Sequence, residues 1–247
     1  MGLRRPLPLG IATILVAGLT LAGCGGDDKK AAPKKTATPS AVTPSVQPSY
    51  DAAKVRAALL KPGDVGKGLR EVQVSLLPLQ DKEIPICSLG GAKVDGDPGL
   101  TIRQLTDRQS STSRTNYSQL VAHYDSAEAA AQAFAKVKAK ATGCPAKKRV
   151  DAKRVPGKRV VLFSHDDTWK TTEDTVAGWT HLRGFERQLY SASQTTENVL
   201  YFVYDYAVRG NVVVTTVYWE RTKPSKPGEP TAKRATEILT KQLQKIG

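Results

Sequence analysis

The chain has 247 residues, with 37 Lys and Arg against 23 Asp and Glu for a net charge of +14, and 40% hydrophobic residues. That composition supports a packed core and excludes a wholly disordered chain, while three cysteines at this length exclude a disulfide-dense mini-protein and a Cys-rich metal module. No apolar run reaches the roughly 18–20 residues of a spanning helix, and the basic balance raises nucleic acid as a partner to be tested against the rest of the chain.

The N-terminus bears on that question first. Arg4 and Arg5 stand in an opening without acids, and residues 11–22 (IATILVAGLTLA) are an apolar run too short to span a bilayer. This is the pattern of a secretory signal. It closes on Leu21-Ala22-Gly23-Cys24, and this LAGC tetrad resembles the bacterial lipobox. The resemblance implies a lipoprotein signal peptide over 1–23, cleavage before Cys24 and a diacylglycerol on its thiol. The chain is therefore expected on the extracellular face of the cell membrane, where it does not meet chromosomal nucleic acid. Residues 24–48 are rich in Pro, Thr, Ser, Ala and Lys, too polar to offset the entropy of ordering, and are expected to form a disordered tether. The folded part is then 49–247.

Along that domain, residues 51–60 read as a short helix with Ala52, Val55 and Leu59 on one stripe, stopped by Lys61-Pro62-Gly63. Strands follow over 69–77, 100–105 and 116–124. Asp125-Ser126-Ala127-Glu128 opens a helix as a capping box does, with Ala130, Phe134, Val137 and Ala141 as its core stripe and Gly143-Cys144-Pro145 as its end. Residues 159–164 and 178–191 read as strands. Two β-rich runs between 199 and 220 flank Gly210-Asn211, a two-residue hairpin signal. That turn sets Val208 against Val213, Tyr206 against Thr215, Tyr204 against Val217 and Phe202 against Trp219 on one apolar face. Tyr201, Asp205, Thr216 and Glu220 occupy the other, more polar face. Residues 230–246 form an amphipathic helix with Ala235, Leu239, Leu243 and Ile246 on one side. Strands that gather late in a meander, without βαβ alternation, indicate an α+β fold: an antiparallel sheet of about five to seven strands with about three flanking helices.

With Cys24 taken by lipid, Cys87 and Cys144 are expected to pair, since thiols in an oxidising compartment oxidise. The closed loop of about 57 residues makes that bridge worth roughly 4 kcal/mol on the chain-entropy account.

The segments ALLKPGDV (58–65), AHYDSAEAAAQAFAKVKAKATGC (122–144) and YAVRGNVVVTTVYWE (206–220), with the closing helix, resemble the PknH-like extracellular sensor domain family. That family occurs as ectodomains of actinobacterial Ser/Thr kinases and as free surface lipoproteins. The resemblance implies an antiparallel sheet with flanking helices and a cleft for a small ligand. The kinase ectodomains have two disulfides where this chain has cysteines for one, and the chain has no kinase domain.

Three histidines limit acid–base chemistry. His165-Asp166-Asp167 reads as a solvated turn and His123 as a packed or surface residue. His181 alternates with Trp179 and Arg183 on one strand face, a candidate binding surface. No nucleophile elbow, phosphate-binding loop, zinc motif or calcium loop is present, so neither a metal nor a cofactor is expected. Trp179, His181, Arg183, Tyr201 and Tyr218 are the candidate ligand cleft, which Arg187 and Arg209 could also line. Ten basic residues between 136 and 159 stand against Asp151 alone. In a loop after Cys144-Pro145, Lys147, Lys148, Arg149, Lys153 and Arg154 form a candidate patch for anionic wall polymer or lipid headgroups. The reading is a non-enzymatic, sensor-like surface lipoprotein. It contacts the lipid membrane through Cys24 and binds a small ligand or envelope component. An anionic-polymer scaffold acting through 136–159 is the alternative, and an extracellular hydrolase the third reading.

Overall fold

The computed structural model describes residues 47–107, 115–154, 161–191 and 196–247. The expected signal peptide 1–23, Cys24 and residues 25–46 of the expected tether lie outside the described residues, as do residues 159 and 160 of the strand expected over 159–164.

In chain order the elements are α1 (Ala52–Ala57), α2 (Pro62–Val65), β1 (Leu69–Val72), α3 (Leu77–Gln80), β2 (Ile84–Ile86), β3 (Gly90–Ala92), β4 (Gly99–Asp107), β5 (Thr115–His123) and α4 (Ala127–Thr142). Then come β6 (Lys147–Val150), β7 (Lys153–Arg154), β8 (Val161–Leu162), β9 (His165–Val176), β10 (Trp179–Tyr190), β11 (Val199–Arg209), β12 (Val212–Thr222) and α5 (Glu229–Ile246). Eight strands make one sheet in the order β1-β4-β5-β12-β11-β10-β9-β6, and β2–β3 and β7–β8 are separate ribbons. Every neighbouring pair is antiparallel. The class is α+β, with more elements than the expected five to seven strands and three helices.

Helix α4 starts where Ser126 accepts the Ala129 N–H on its side chain, which supplies a partner to one of the first-turn amides. Its expected stripe of Ala130, Phe134, Val137 and Ala141 is buried, against Leu120, Ala122, Phe202, Tyr204, Tyr206, Val213 and Val217 of the sheet. Gly184 admits the indole of Trp169 onto this face, since a Cβ there would stand 2.1 Å from the ring. Any larger residue at 184 must displace that ring or the strand.

The hairpin of β11 and β12 has the expected register, with Phe202 against Trp219 and Tyr206 against Thr215. Gly210 takes φ +53°, which its turn demands and a side chain resists. The Asn211 side chain then clasps the start of the domain, accepting from the Tyr50 N–H at 2.8 Å and donating to the Tyr124 carbonyl at 3.0 Å.

The second face of the hairpin is also covered. Val55 of α1, Leu59 just beyond it, and Ala235, Ile238, Leu239 and Leu243 of α5 pack on Val121, Val203, Ala207, Val212, Val214 and Tyr218. The sheet is thus the middle of three layers, and Asp205 and Thr216, expected on the more polar face, are fully buried.

Two expectations are corrected. His165-Asp166-Asp167 opens strand β9 instead of forming a solvated turn, and Asp167 is buried. Lys147, Lys148 and Arg149 lie in strand β6, not in a loop, at the open edge of the large sheet. Lysines on an edge strand resist pairing with a second chain, a structural role for part of the basic run. The strand expected over 69–77 ends at Val72, and Leu77 instead begins the single turn α3 with proline in its first turn.

Candidate functional site

On the α5 side of the sheet, the apolar stripe of the helix is spent on the central strands, which leaves β9 and β10 open. A groove of about 400 Å³ results. Lys170 and Thr172 of β9, Arg183, Phe185 and Arg187 of β10, and Tyr201 of β11 line its sheet side, with Gly228, Glu229 and Ala232 opposite. Phe185 and Tyr201 are the floor, their ring centroids 5.6 Å apart. Gly228 seats on both rings, because a Cβ there would meet Phe185 at 2.5 Å and Tyr201 at 2.8 Å. Tyr201 is fixed by its hydroxyl, which donates to the Lys226 carbonyl at 3.1 Å. Lys170 Nζ lies 5.1 Å from the centre of the Phe185 ring, a cation–π distance.

Arg183 joins this groove to a buried polar cluster beneath α5. Its Nε donates to Asp205 at 2.6 Å, and its Nη1 to Thr236 Oγ1 at 2.8 Å and the Ala232 carbonyl at 3.3 Å. Its Nη2 is buried without a hydrogen-bond partner among the described residues. The same Asp205 oxygen lies 3.0 Å from His181 Nε2, and Asp174 lies 2.6 Å from His181 Nδ1. Burial opposes a proton on His181, but Asp205 and Asp174 outweigh it and hold the imidazole above its ordinary range. Burial likewise opposes charge on Asp205, and the bonds from His181 and Arg183 overcome it, keeping the carboxyl below the usual carboxylate range. Arg183 and the His181 ring thus share one oxygen of Asp205, and Asp174 holds the other ring nitrogen.

A second polar cluster lies on the α4 side. Ser88 donates through its N–H to Glu186 at 2.5 Å and through its hydroxyl to Asp167 at 2.8 Å. Gln188 and Tyr204 also donate to Glu186, at 2.6 and 3.1 Å. Burial pushes the Glu186 carboxyl up against those donors, and the neighbouring Asp167 pushes the same way. His165 Nε2 lies 3.3 Å from Asp167 Oδ1. Among the described residues the Ser88 hydroxyl thus turns to two carboxylates, Asp167 and Glu186, and not to a histidine base. Its cavity is only about 40 Å³. Among the described residues no three His, Cys, Asp or Glu are placed to hold a metal ion. Cys87 and Cys144 form the disulfide that pins this loop to the end of α4.

Of the candidate cleft, Arg183 and Tyr201 line the groove, with Arg187 beside them. Trp179 and His181 share their strand face but are covered, Trp179 by the core beneath α1 and α5 and by stacking on Tyr50. Tyr218 is also buried, under α5. Arg209 is taken up by a bond to the Gly247 carbonyl at 2.7 Å. His123 is packed, with Nε2 2.8 Å from the Tyr50 carbonyl. In the basic run, Lys136 pairs with Asp95, Lys138 with Glu173 and Arg149 with Asp166, while Lys153 and Arg154 are exposed on the β7–β8 ribbon. Phe185, Lys170 and the Pro227-Gly228 loop were not singled out in the sequence. A Pro-Gly pair before an amphipathic helix was the available signal.

No family model matches the chain, and no curated protein matches it. Among solved structures, the chain is similar to the extracellular domain of PknH from Mycobacterium tuberculosis, at 14% identity and a TM-score of 0.48. The likeness covers 80% of this chain and 99% of that one.

Proposed function

We propose that the protein is an extracytoplasmic binding module, tied by a lipid on Cys24 to the outer face of the cell membrane and holding a small ligand in the groove of β9, β10, β11 and α5. No helix of the described residues is long and apolar enough to cross a membrane. One observation carries the binding reading. In a domain whose sheet is covered by helices on both sides, this stretch stays open, with an aromatic floor and a polar rim around about 400 Å³. That size and lining are those of a small-molecule site.

The test is a titration of the ¹⁵N-labelled protein with 2-naphthamide. Amide resonances of Phe185, Arg187, Tyr201 and Ala232 are expected to shift together and saturate. Ala232→Trp, which fills the groove from α5, is expected to abolish the shifts while leaving the melting temperature in place. A wild type whose groove resonances stay still sinks the reading. The anchor is tested separately by mass spectrometry of membrane-extracted protein: Cys24→Ala is expected to lose the diacylglycerol mass, and an unlipidated wild type refutes the tether.

A further inference from the structure

The groove and the basic edge strand share one face of the sheet. Register places Arg149 opposite Asp166, Lys147 opposite Thr168, Thr168 opposite Arg187, and Arg187 opposite Tyr201. Lys170 is two residues along β9 from Thr168 and so points to the same side. Neighbouring strands are about 4.8 Å apart and alternate residues about 6.8 Å apart, so the long side chains of Lys147, Lys170 and Arg187 can all reach the space above Thr168. Arg149 and Asp166 satisfy one another at 2.9 Å. By contrast, Lys147, Lys170 and Arg187 have no acidic partner within ion-pair distance among the described residues. Glu229, the acid in the groove lining, lies on the opposite wall in the first turn of α5.

We propose that the groove takes a small, freely diffusing organic anion whose carboxylate or phosphate is held over Thr168 by Lys147, Lys170 and Arg187, and whose apolar body lies on Phe185 and Tyr201. This rests on the groove being the ligand site. Three cations without counter-charges gather beside an aromatic floor, an arrangement that matches a charged end and an apolar body in one molecule. Arg187 contributes the planar fork that suits a carboxylate or phosphate, and the two lysines contribute mobile charges at the rim. Part of the basic segment thereby becomes the outer wall of the groove.

Titrating the protein with 2-naphthoate, 2-naphthamide and inorganic phosphate separates the parts of the proposal. The naphthoate is expected to bind about tenfold or more tightly than the amide, as charge-assisted bonds to a carboxylate require. The preference is expected to shrink with added salt, and to vanish in Lys147→Gln/Arg187→Gln, where naphthoate and amide are expected to bind alike. Equal binding of naphthoate and amide overturns the anion assignment but leaves the groove as a binding site. Groove resonances that respond to neither compound remove the underlying reading as well. Inorganic phosphate binding as tightly as naphthoate refutes the apolar half of the ligand. Displacement of naphthoate from Cys24→Ala protein by phosphatidylglycerol vesicles overturns the small-ligand assignment in favour of a lipid surface, and no displacement upholds it.

Discussion

Asp205→Ala is expected to lower the unfolding free energy by about 3–5 kcal/mol, because it leaves His181 and the inner end of Arg183 buried without their shared anion. Asp205 is fully buried and its Oδ1 receives both bonds, from Arg183 at 2.6 Å and from His181 at 3.0 Å. A urea titration at neutral pH measures the loss, and a decrease below about 1 kcal/mol would show that the cluster is not held by this carboxylate. Replacing the whole cluster at once, as His181→Leu/Arg183→Met/Asp205→Leu, is expected to recover much of the loss, since no uncompensated charge remains.

The same cluster sets the pH dependence. His181 has a folded-state pKa raised above its ordinary 6.5, so its protonated form stabilises the native state. That contribution is complete below about pH 6.5 and disappears as pH rises through the folded value. Asp205, held below its ordinary 3.8, contributes in the opposite sense: its share is present above that value and lost as pH falls through the depressed one. Stability of the wild type is therefore expected to decline on the alkaline side of pH 6.5. Asp205→Ala is expected to flatten that decline, because only Asp174 then opposes the burial that disfavours a proton on His181.

The parts of this architecture that could be read from the chain are those in which one residue pattern has one physical outcome. Ala130, Phe134, Val137 and Ala141 recur at helical spacing between a serine cap and Gly143, and they form the buried stripe of α4. Gly210-Asn211 between two alternating runs fixes a two-residue turn, and every pair in β11 and β12 follows from it. Strand β9 carries no such pattern. Half of its residues HDDTWKTTEDTV are exposed because it lies near the sheet edge, with only Asp167 and Trp169 buried, so its opening acids resemble a turn. The candidate cleft was blurred for a different reason. Trp179, His181, Arg183, Phe185 and Arg187 alternate on one face of β10, but alternation says nothing about how far a helix covers that face. Helix α5 and its neighbours bury the first two and leave the last two to the groove. Summing charge along the chain is blind to partners in the same way: Lys136 faces Asp95, and Lys138 and Arg149 face acids of β9.

Removing the Cys87–Cys144 bridge is the other large effect. The two residues are 57 positions apart, and the loop they close holds β3, β4, β5 and α4. On the chain-entropy account its loss costs about 4 kcal/mol, through the greater freedom of the unfolded chain. The native state has its own stake in the bridge. Directly after Cys87, Ser88 and Leu89 take φ +47° and +51°, left-handed backbone that costs of order 1 kcal/mol or more for a residue with a side chain. That conformation delivers the Ser88 N–H and hydroxyl to Glu186 and Asp167. Without the anchor the strained turn is expected to relax, and both carboxylates to lose those donors and admit water. Cys87→Ala/Cys144→Ala is therefore expected to lose about 4 kcal/mol in denaturant unfolding, and to show faster amide exchange at Ser88 and Leu89 than at Phe185 on the opposite face. The groove takes no lining residue from the segment between the cysteines, so 2-naphthoate binding is expected to survive wherever the double variant stays folded. A loss below about 1 kcal/mol with unchanged exchange at Ser88 would show that the bridge only decorates a loop the polar cluster already holds.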